Sequence, residues 1–341
     1  MGVFLCLILL SLVMLSGCQS KETEAATDGQ ISDSQFLLGT IITLQLFDTE
    51  DTSLLENSFG LIKEMDQWMS LTIDTSEVSR LNAEAGNGPM KVSDELAYVL
   101  STAVHYGDIS GGRFDISLEP VIKLWGIGTD AARVPSEEEL SQALAYVNYK
   151  DIVFDEANQT VEFKKGMAID LGGIGKGYAA DLITDYLKTQ GVKKAIINLG
   201  GNVVVIGEKQ ENTPFKVGLQ NPFDARNAYI GYVEVSDRTV VTSGIYERNF
   251  TENGVTYHHI LDNLTGYPIK NGVAGVSVVT SRSIDADALS TTLFALGVEK
   301  GLALANSLED VECLYITDDS KLYMTEGMRE LFTLSDSSFS E

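Results

Sequence analysis

Apolar residues three and four apart recur at Leu54, Leu55, Phe59, Ile62, Met65 and Trp68, and predict an amphipathic helix over 53–69. Helical spacing returns over 93–110. There Ser93 is placed to cap free N–H groups, and Asp94 and Glu95 suit the positive end of the helix dipole. Ser136 followed by three glutamates opens a third helix, running to 147. Between 150 and 280 the pattern changes to short β-branched and aromatic runs separated by turn formers, at 151–154, 160–163, 195–199, 203–206, 215–219, 229–235, 240–242 and 275–280. Upstream, 36–47 reads as one strand, and helices at 176–190 and about 285–297 interrupt the strand-rich region. Many adjacent strands with short turns, and helices to cover them, predict an α+β fold of largely antiparallel sheets with packed helices.

The two ends read differently. Residues 2–15 are an apolar run too short for a relaxed membrane span, followed by Leu15-Ser16-Gly17-Cys18 and an abrupt change to polar sequence. This is the pattern of a lipoprotein signal peptide over 1–17, with lipid on Cys18 and a polar tether over 18–33. The expected location is therefore extracytoplasmic, anchored to the cell membrane by lipid. Residues 1–20 carry no Lys or Arg, although a signal opens with positive charge, so a basic segment is expected upstream. One domain is expected over 34–335, with the last residues, Ser335 to Glu341, frayed.

Charge narrows the chemistry. The net charge is -25, which disfavours nucleic acid and any other polyanion unless a metal ion, a lysine or a helix N-terminus neutralises it locally. Of three cysteines, Cys6 leaves with the signal and Cys18 takes lipid. Cys313, in an apolar strand-like run, is left with no partner for a disulfide or a thiolate metal cluster.

Three constellations carry candidate chemistry. Asp170-Leu-Gly-Gly-Ile-Gly-Lys-Gly-Tyr178 is a glycine loop between an expected strand and a helix, with Lys176 at the helix start. It suits an anion but matches neither the Walker A nor the Rossmann spacing, so a plain tight turn is an equal reading. In Ser283-Ile-Asp-Ala-Asp-Ala-Leu-Ser-Thr291, Ser283 is placed to cap a helix whose first turn holds Asp285. Asp287 and Thr291 are one turn apart and offer hard oxygen ligands for Mg²⁺, although an ordinary acidic first turn has the same pattern. Thr242 to Arg248 is followed by Tyr257-His-His-Ile-Leu-Asp, whose adjacent histidines point to opposite faces of a strand. One of them is available as acid or base, while His105 reads as structural.

Taken in order, these segments resemble the ApbE family of FAD:protein FMN transferases. Leu38-Gly39-Thr40, Ser76 to Asn82, Gly111 to Ser117, Leu124 to Gly128, Asn198 to Asn202 and His259-Ile-Leu-Asp extend the likeness over about 36–330. The resemblance implies an ApbE-type fold of two T-fold-like halves. It also implies an enzyme that cleaves FAD and attaches FMN through a phosphoester to a Thr or Ser of another protein, an exported or membrane redox subunit, releasing AMP. By position it implies Mg²⁺ on Asp287, Thr291 and the Gly173 carbonyl, FAD contacts at Leu38, Arg113, Phe114, Asp115, Asp170, Lys176 and Leu261, and catalytic roles for His259 and Asp287. Three positions depart from the pattern. Thr72 stands where an aromatic residue often faces the flavin, Asn263 where proline is usual, and Arg113 where a small residue is common. Water in place of the acceptor hydroxyl would make the chain an FAD pyrophosphatase, and binding without turnover would make it a lipid-anchored flavin carrier.

Overall fold

The computed structural model describes residues 29–155, 158–224 and 228–341. The expected signal peptide, the lipidation of Cys18 and most of the expected tether lie outside them. In chain order the elements are β1 (Ile31–Leu37), β2 (Thr40–Leu46), α1 (Ser53–Met69), α2 (Glu77–Ala83), β3 (Met90–Lys91), α3 (Asp94–Ile109), α4 (Glu119–Trp125), α5 (Glu137–Leu144), β4 (Ile152–Asp155), β5 (Thr160–Phe163) and α6 (Gly175–Thr189). Then follow β6 (Ala195–Leu199), β7 (Asn202–Ile206), β8 (Phe215–Gln220), β9 (Tyr229–Val235), β10 (Thr239–Gly244), β11 (Asn249–Glu252), β12 (Val255–His258) and β13 (Val273–Thr280). The chain ends with α7 (Ser283–Leu296), α8 (Val298–Ala305), β14 (Glu312–Thr317), β15 (Leu322–Met324), α9 (Glu326–Leu331) and β16 (Phe332–Leu334). No helix among the described residues is long and apolar enough to cross a membrane.

The mixed α+β class with antiparallel sheets is as expected. An eight-stranded antiparallel sheet runs β1-β2-β6-β7-β10-β13-β14-β15. Its first four strands are in chain order, with α1 to α6 inserted between β2 and β6. Its last four are also in chain order, with α7 and α8 inserted between β13 and β14. The same succession of two strands, helices and two strands thus occurs twice. The helices and one face of the sheet enclose the main core, including Phe59, Ile62, Leu100, Ile183, Leu289 and Phe294. The other face packs Val240, Val279 and Leu314 against the small sheet β16-β9-β8. Every residue of β13 is buried, so the strand lacks the polar–apolar alternation of a half-exposed strand. A satellite cluster around Trp125 joins α4 and α5 to the β11–β12 hairpin through Phe250 and Tyr257.

The two ends of the domain depart from expectation. Residues 36–47 are not one strand: the chain folds back at Leu38-Gly39, both in the left-handed region at φ 51° and 71°, and Phe36 pairs with Ile41. The partner strand begins at Ile31, inside the segment expected as tether (18–33). Its first exposed side chains, Ser32, Asp33 and Ser34, are polar, which hid the start of the strand from a reading of hydrophobic runs. The tail beyond 335 is packed rather than frayed. Phe339 is buried and stacks on Phe223, and Leu322 N–H donates to the Ser340 carbonyl at 2.8 Å.

Helix α7 is buried on nearly every side, its polar residues included. Its start is capped from outside. Asp181 of α6 accepts hydrogen bonds from Ser283 N–H (2.8 Å) and Ile284 N–H (3.0 Å). Ser283 is not the cap that its position in the sequence implies; it is the first helical residue, and its hydroxyl donates to Asn202 at 2.6 Å. Helices α6 and α7 touch at Gly177, where a Cβ would stand 2.3 Å from the Ser283 carbonyl oxygen and 2.7 Å from the Ile284 Cα. Backbone cannot yield there, so Gly177→Ala is expected to destabilise by about 2–3 kcal/mol through overpacking. Gly60, inside α1 with nothing within 4 Å of its missing Cβ, provides the opposite case. There Gly→Ala is expected to stabilise by about 0.5–1 kcal/mol. Urea unfolding of both variants checks the pair; equal effects at the two positions would show that the crossing is not tight.

Candidate active site

The glycine loop is held by backbone and one asparagine. Asn82 of α2 brackets Ile169, accepting from its N–H (2.8 Å) and donating to its carbonyl (3.0 Å), and Asp170 N–H donates to the Ile116 carbonyl at 2.8 Å. The expected strand before Asp170 is this irregular segment, anchored by a side chain rather than by a ladder. Leu171 then accepts from the N–H groups of Ile174 and Gly175, which closes a tight turn into α6.

The first turn of α6 meets Asp287. The Asp287 side chain is 5% exposed. Oδ2 accepts from Gly177 N–H at 2.9 Å, and Oδ1 lies 3.5 Å from Lys176 Nζ. A helix N-terminus favours negative charge, and here the anion is supplied by α7. One turn further on, the half-buried Thr291 hydroxyl has no hydrogen-bond partner among the described residues. It lies 3.8 Å from where a Cβ of Gly173 would be, and Phe114 lies 3.3 Å from the same point. A side chain on Gly173 would fill this space. The oxygens gathered here are a buried carboxylate, a hydroxyl and the backbone of a glycine. Among the described residues no group of three or more His, Cys, Asp or Glu is placed to hold a metal ion. This donor set does not suit zinc. It suits a hard cation that keeps waters and shares a substrate's phosphates.

The two histidines diverge, as strand geometry requires. His258, buried at the end of β12, accepts from Ile260 N–H at Nδ1 (3.3 Å) and faces the Ile269 carbonyl with Nε2 (2.9 Å), so its ring is a structural tie. His259 N–H donates to the Arg248 carbonyl (3.0 Å), and Nδ1 lies 3.2 Å from the same oxygen. A carbonyl only accepts, so Nδ1 carries the proton and Nε2 keeps its lone pair. Burial, with the charges of Arg248 and Lys176 close by, pulls the His259 pKa down to about 4. The ring is neutral at physiological pH. His105, exposed on α3, makes an edge contact with Tyr106.

The other sequence-predicted positions surround this cluster in different ways. Asp170 is half-buried. Burial raises its pKa, opposed by the Gly172 N–H bond (2.6 Å) and by the charges of Arg248 and Lys176. Phe114 is buried between Tyr106 and Gly173. Arg113 forms a two-point ion pair with Asp262 (3.1 and 3.3 Å), which ties its loop to the segment bearing His259. Asp115 is engaged internally: Oδ1 accepts from Ser117 N–H and hydroxyl (2.8 and 2.5 Å), and Oδ2 lies 3.3 Å from Tyr149 N. Leu261 is buried in the cluster around Trp125. Leu38 sits in the β1–β2 turn, whose Gly39 faces the guanidinium of Arg248. Thr72, exposed after α1, shares a hydrogen bond with Ser70 at 3.0 Å.

Arg248 is the group that sequence reasoning passed over. It ends the Thr242 to Arg248 segment without a motif of its own. Only the fold-back of β11 and β12 brings it beside His259. Its one signal in the sequence is a cation at the far end of the hairpin that leads to His259.

A profile described as the ApbE family matches residues 38–315. A curated FAD:protein FMN transferase from Klebsiella pneumoniae (strain 342) is 36% identical over 90% of this chain and 96% of that protein. One from Treponema pallidum (strain Nichols) is 34% identical over 91% of each. Among solved structures, the ApbE protein of Thermotoga maritima is similar, with a TM-score of 0.82 and 30% identity over 89% of this chain and 99% of that one. The flavin transferase ApbE of Vibrio cholerae is similar with a TM-score of 0.79 and 27% identity, over 89% and 99%. With a glycine-loop helix, a buried aspartate and a neutral histidine gathered in that fold, and the profile spanning most of its length, the chain belongs to the ApbE family.

Proposed function

We propose that this chain is a Mg²⁺-dependent FAD:protein FMN transferase. The observation that carries the reading is the buried Asp287 carboxylate, one turn from a partnerless Thr291 and beside Gly173 and Lys176, in a chain similar to curated FAD:protein FMN transferases over its length. Asp287, Thr291 and the Gly173 carbonyl would hold Mg²⁺, which when bound supplies positive charge to the phosphoryl oxygens of FAD. The repeated succession of strands and helices supports the further reading of two T-fold-like halves, with the site between the α6 of one and the α7 of the other.

The chain's own residues have separable tasks. Lys176 and the first turn of α6 face the buried carboxylate of Asp287 with positive charge and a helix-terminal N–H. Phe114, Leu38 and Leu261 offer apolar surface near the flavin nucleotide, and Asp170 offers an acceptor. The Arg113–Asp262 pair and the turn capped by Asp115 hold the walls of the site. His259 Nε2 takes the proton from the acceptor's Thr or Ser hydroxyl. That oxygen bonds to the FMN-side phosphorus, the bond from this phosphorus to the bridging oxygen breaks, and AMP leaves with the electron pair. Residues 2–18 support an exported protein anchored by lipid at Cys18, acting on a redox protein in the same compartment.

Incubation of the enzyme with FAD, Mg²⁺ and an exported flavoprotein acceptor tests the reading. Mass spectrometry is expected to find the acceptor heavier by FMN less water, and chelation of the metal to abolish the adduct. Release of FMN and AMP with no adduct on any acceptor would make the chain a pyrophosphatase, and FAD retained intact would make it a carrier. Asp287→Asn is expected to lower AMP release by at least 100-fold, because neutralising the ligand removes the charge that holds the cation. Near-normal release would remove Asp287 from the site.

The histidine makes a separate statement about pH. kcat/KM reports ionisations of the free enzyme. With its pKa near 4, His259 stays a competent base throughout the neutral range, so kcat/KM is expected to be flat from pH 8 down to 5.5 with respect to this group. His259→Gln is expected to slow turnover by about 100- to 10,000-fold while FAD still binds. An acid limb centred near 6.5 that disappears in His259→Gln would show an ordinary solvated histidine instead.

A further inference from the structure

We propose that the guanidinium of Arg248 binds a non-bridging oxygen of the phosphoryl group being transferred, and stabilises the charge that gathers there as the nucleotide leaves. The proposal rests on the flavin-transferase reading for the identity of the phosphate, and on independent geometry for the residue.

The first observation is an absence of internal employment. Arg113, Arg133, Arg238, Arg282 and Arg329 are each paired with carboxylates. Among the described residues the Arg248 guanidinium makes neither an ion pair nor a hydrogen bond, in a chain with 49 acidic residues against 24 Lys and Arg. Arg80 and Arg248 are both exposed residues without an ion pair there, but Arg80 lies on α2 and Arg248 lies beside His259. Arg248 is instead directed by two glycine-bearing turns. Its Cδ lies 3.5 Å from where a Cβ of Gly128 would stand, and Nη2 lies 3.4 Å from that of Gly39. A Cβ at either glycine would stand in van der Waals contact with the arginine.

The second observation is what the guanidinium faces. Its charge is felt by both Asp170 and His259. The backbone carbonyl of the same residue fixes the His259 ring. One residue therefore sets both the base and a cation beside it, where the attacked phosphorus must lie if Nε2 is to receive the acceptor's proton. Lys176 does not suffice for that phosphate, because its ammonium is already shared with Asp287. A diphosphate entering a chain of net charge -25 is favoured by a further cation, and Arg248 stands beside His259. A planar guanidinium also matches the oxygens of a phosphoryl group in two-point fashion.

The test compares wild type with Arg248→Ala and Arg248→Lys in Mg²⁺. Substitution leaves the backbone carbonyl that holds His259 in place, so a structural role for the side chain predicts little change in chemistry. The proposal predicts AMP release slowed by about 100- to 1,000-fold in Arg248→Ala, more through kcat than KM, with partial rescue by added guanidinium. It also predicts affinity for FAD lowered at least tenfold while affinity for riboflavin, which lacks phosphate, is unchanged; Arg248→Lys falls between. Release within threefold of wild type, or equal losses for FAD and riboflavin, would overturn it. A wild-type enzyme that binds FAD but releases no AMP would overturn the transferase reading, and the binding comparison would still decide whether Arg248 meets phosphate.

Discussion

The structure depends on the contact between Gly177 of α6 and the start of α7. Two helices approach so closely there that no side chain fits, and the crossing is closed by a hydrogen bond from a helix-terminal N–H to the Asp287 carboxylate. A buried carboxylate is costly unless charge and hydrogen bonds compensate it. The compensation comes from the first turn of α6 and from Lys176, two residues that a one-residue shift of the loop would misplace. The reverse tie, from Asp181 of α6 to the first N–H groups of α7, locks the pair from the other end. Packing and electrostatics thus reinforce each other at one place.

The crossing also joins the two halves of the sheet. Helix α6 is inserted within the first set of four strands and α7 within the second, so the gathered oxygens lie between the repeats. Neither half holds the site alone. Gly173 and Lys176 come from one and Asp287, Thr291 and His259 from the other. Because α7 is covered on nearly every side, Asp287 has little freedom to move and is presented in one orientation. A ligand site of this kind benefits from rigid elements beneath it.

Positive charge is scarce in this chain and is used locally. Most arginines are spent on ion pairs that secure loops, as Arg113 does with Asp262. Lys176 and Arg248 are different: both act on Asp170 and His259 across the cleft. Their field, with burial, keeps His259 neutral and its Nε2 lone pair available. The overall acidity disfavours an anion in general, and Lys176 and Arg248 place positive charge beside His259.

Local periodicity determined the helices that carry one apolar face. The expected 53–69 and 93–110 correspond to α1 and α3 within a residue, because amphipathic spacing, and for α3 an acidic start capped by Ser93, are written in adjacent residues. The family resemblance, and with it the set of segments that converge on the site, was legible in the order of short motifs. Other features depended on partners distant in sequence. The start of the edge strand β1 was hidden by the polar run Ser32 to Ser34, the tail is held by Phe223 and Leu322, and the cap of α7 is Asp181 rather than Ser283, because Asp181 comes from another helix. Arg248 carried no motif, and the β11–β12 fold-back alone places it beside His259. Spacing along a chain specifies what neighbours do to each other; which charge faces which across a cleft is decided by packing between elements that the sequence keeps far apart.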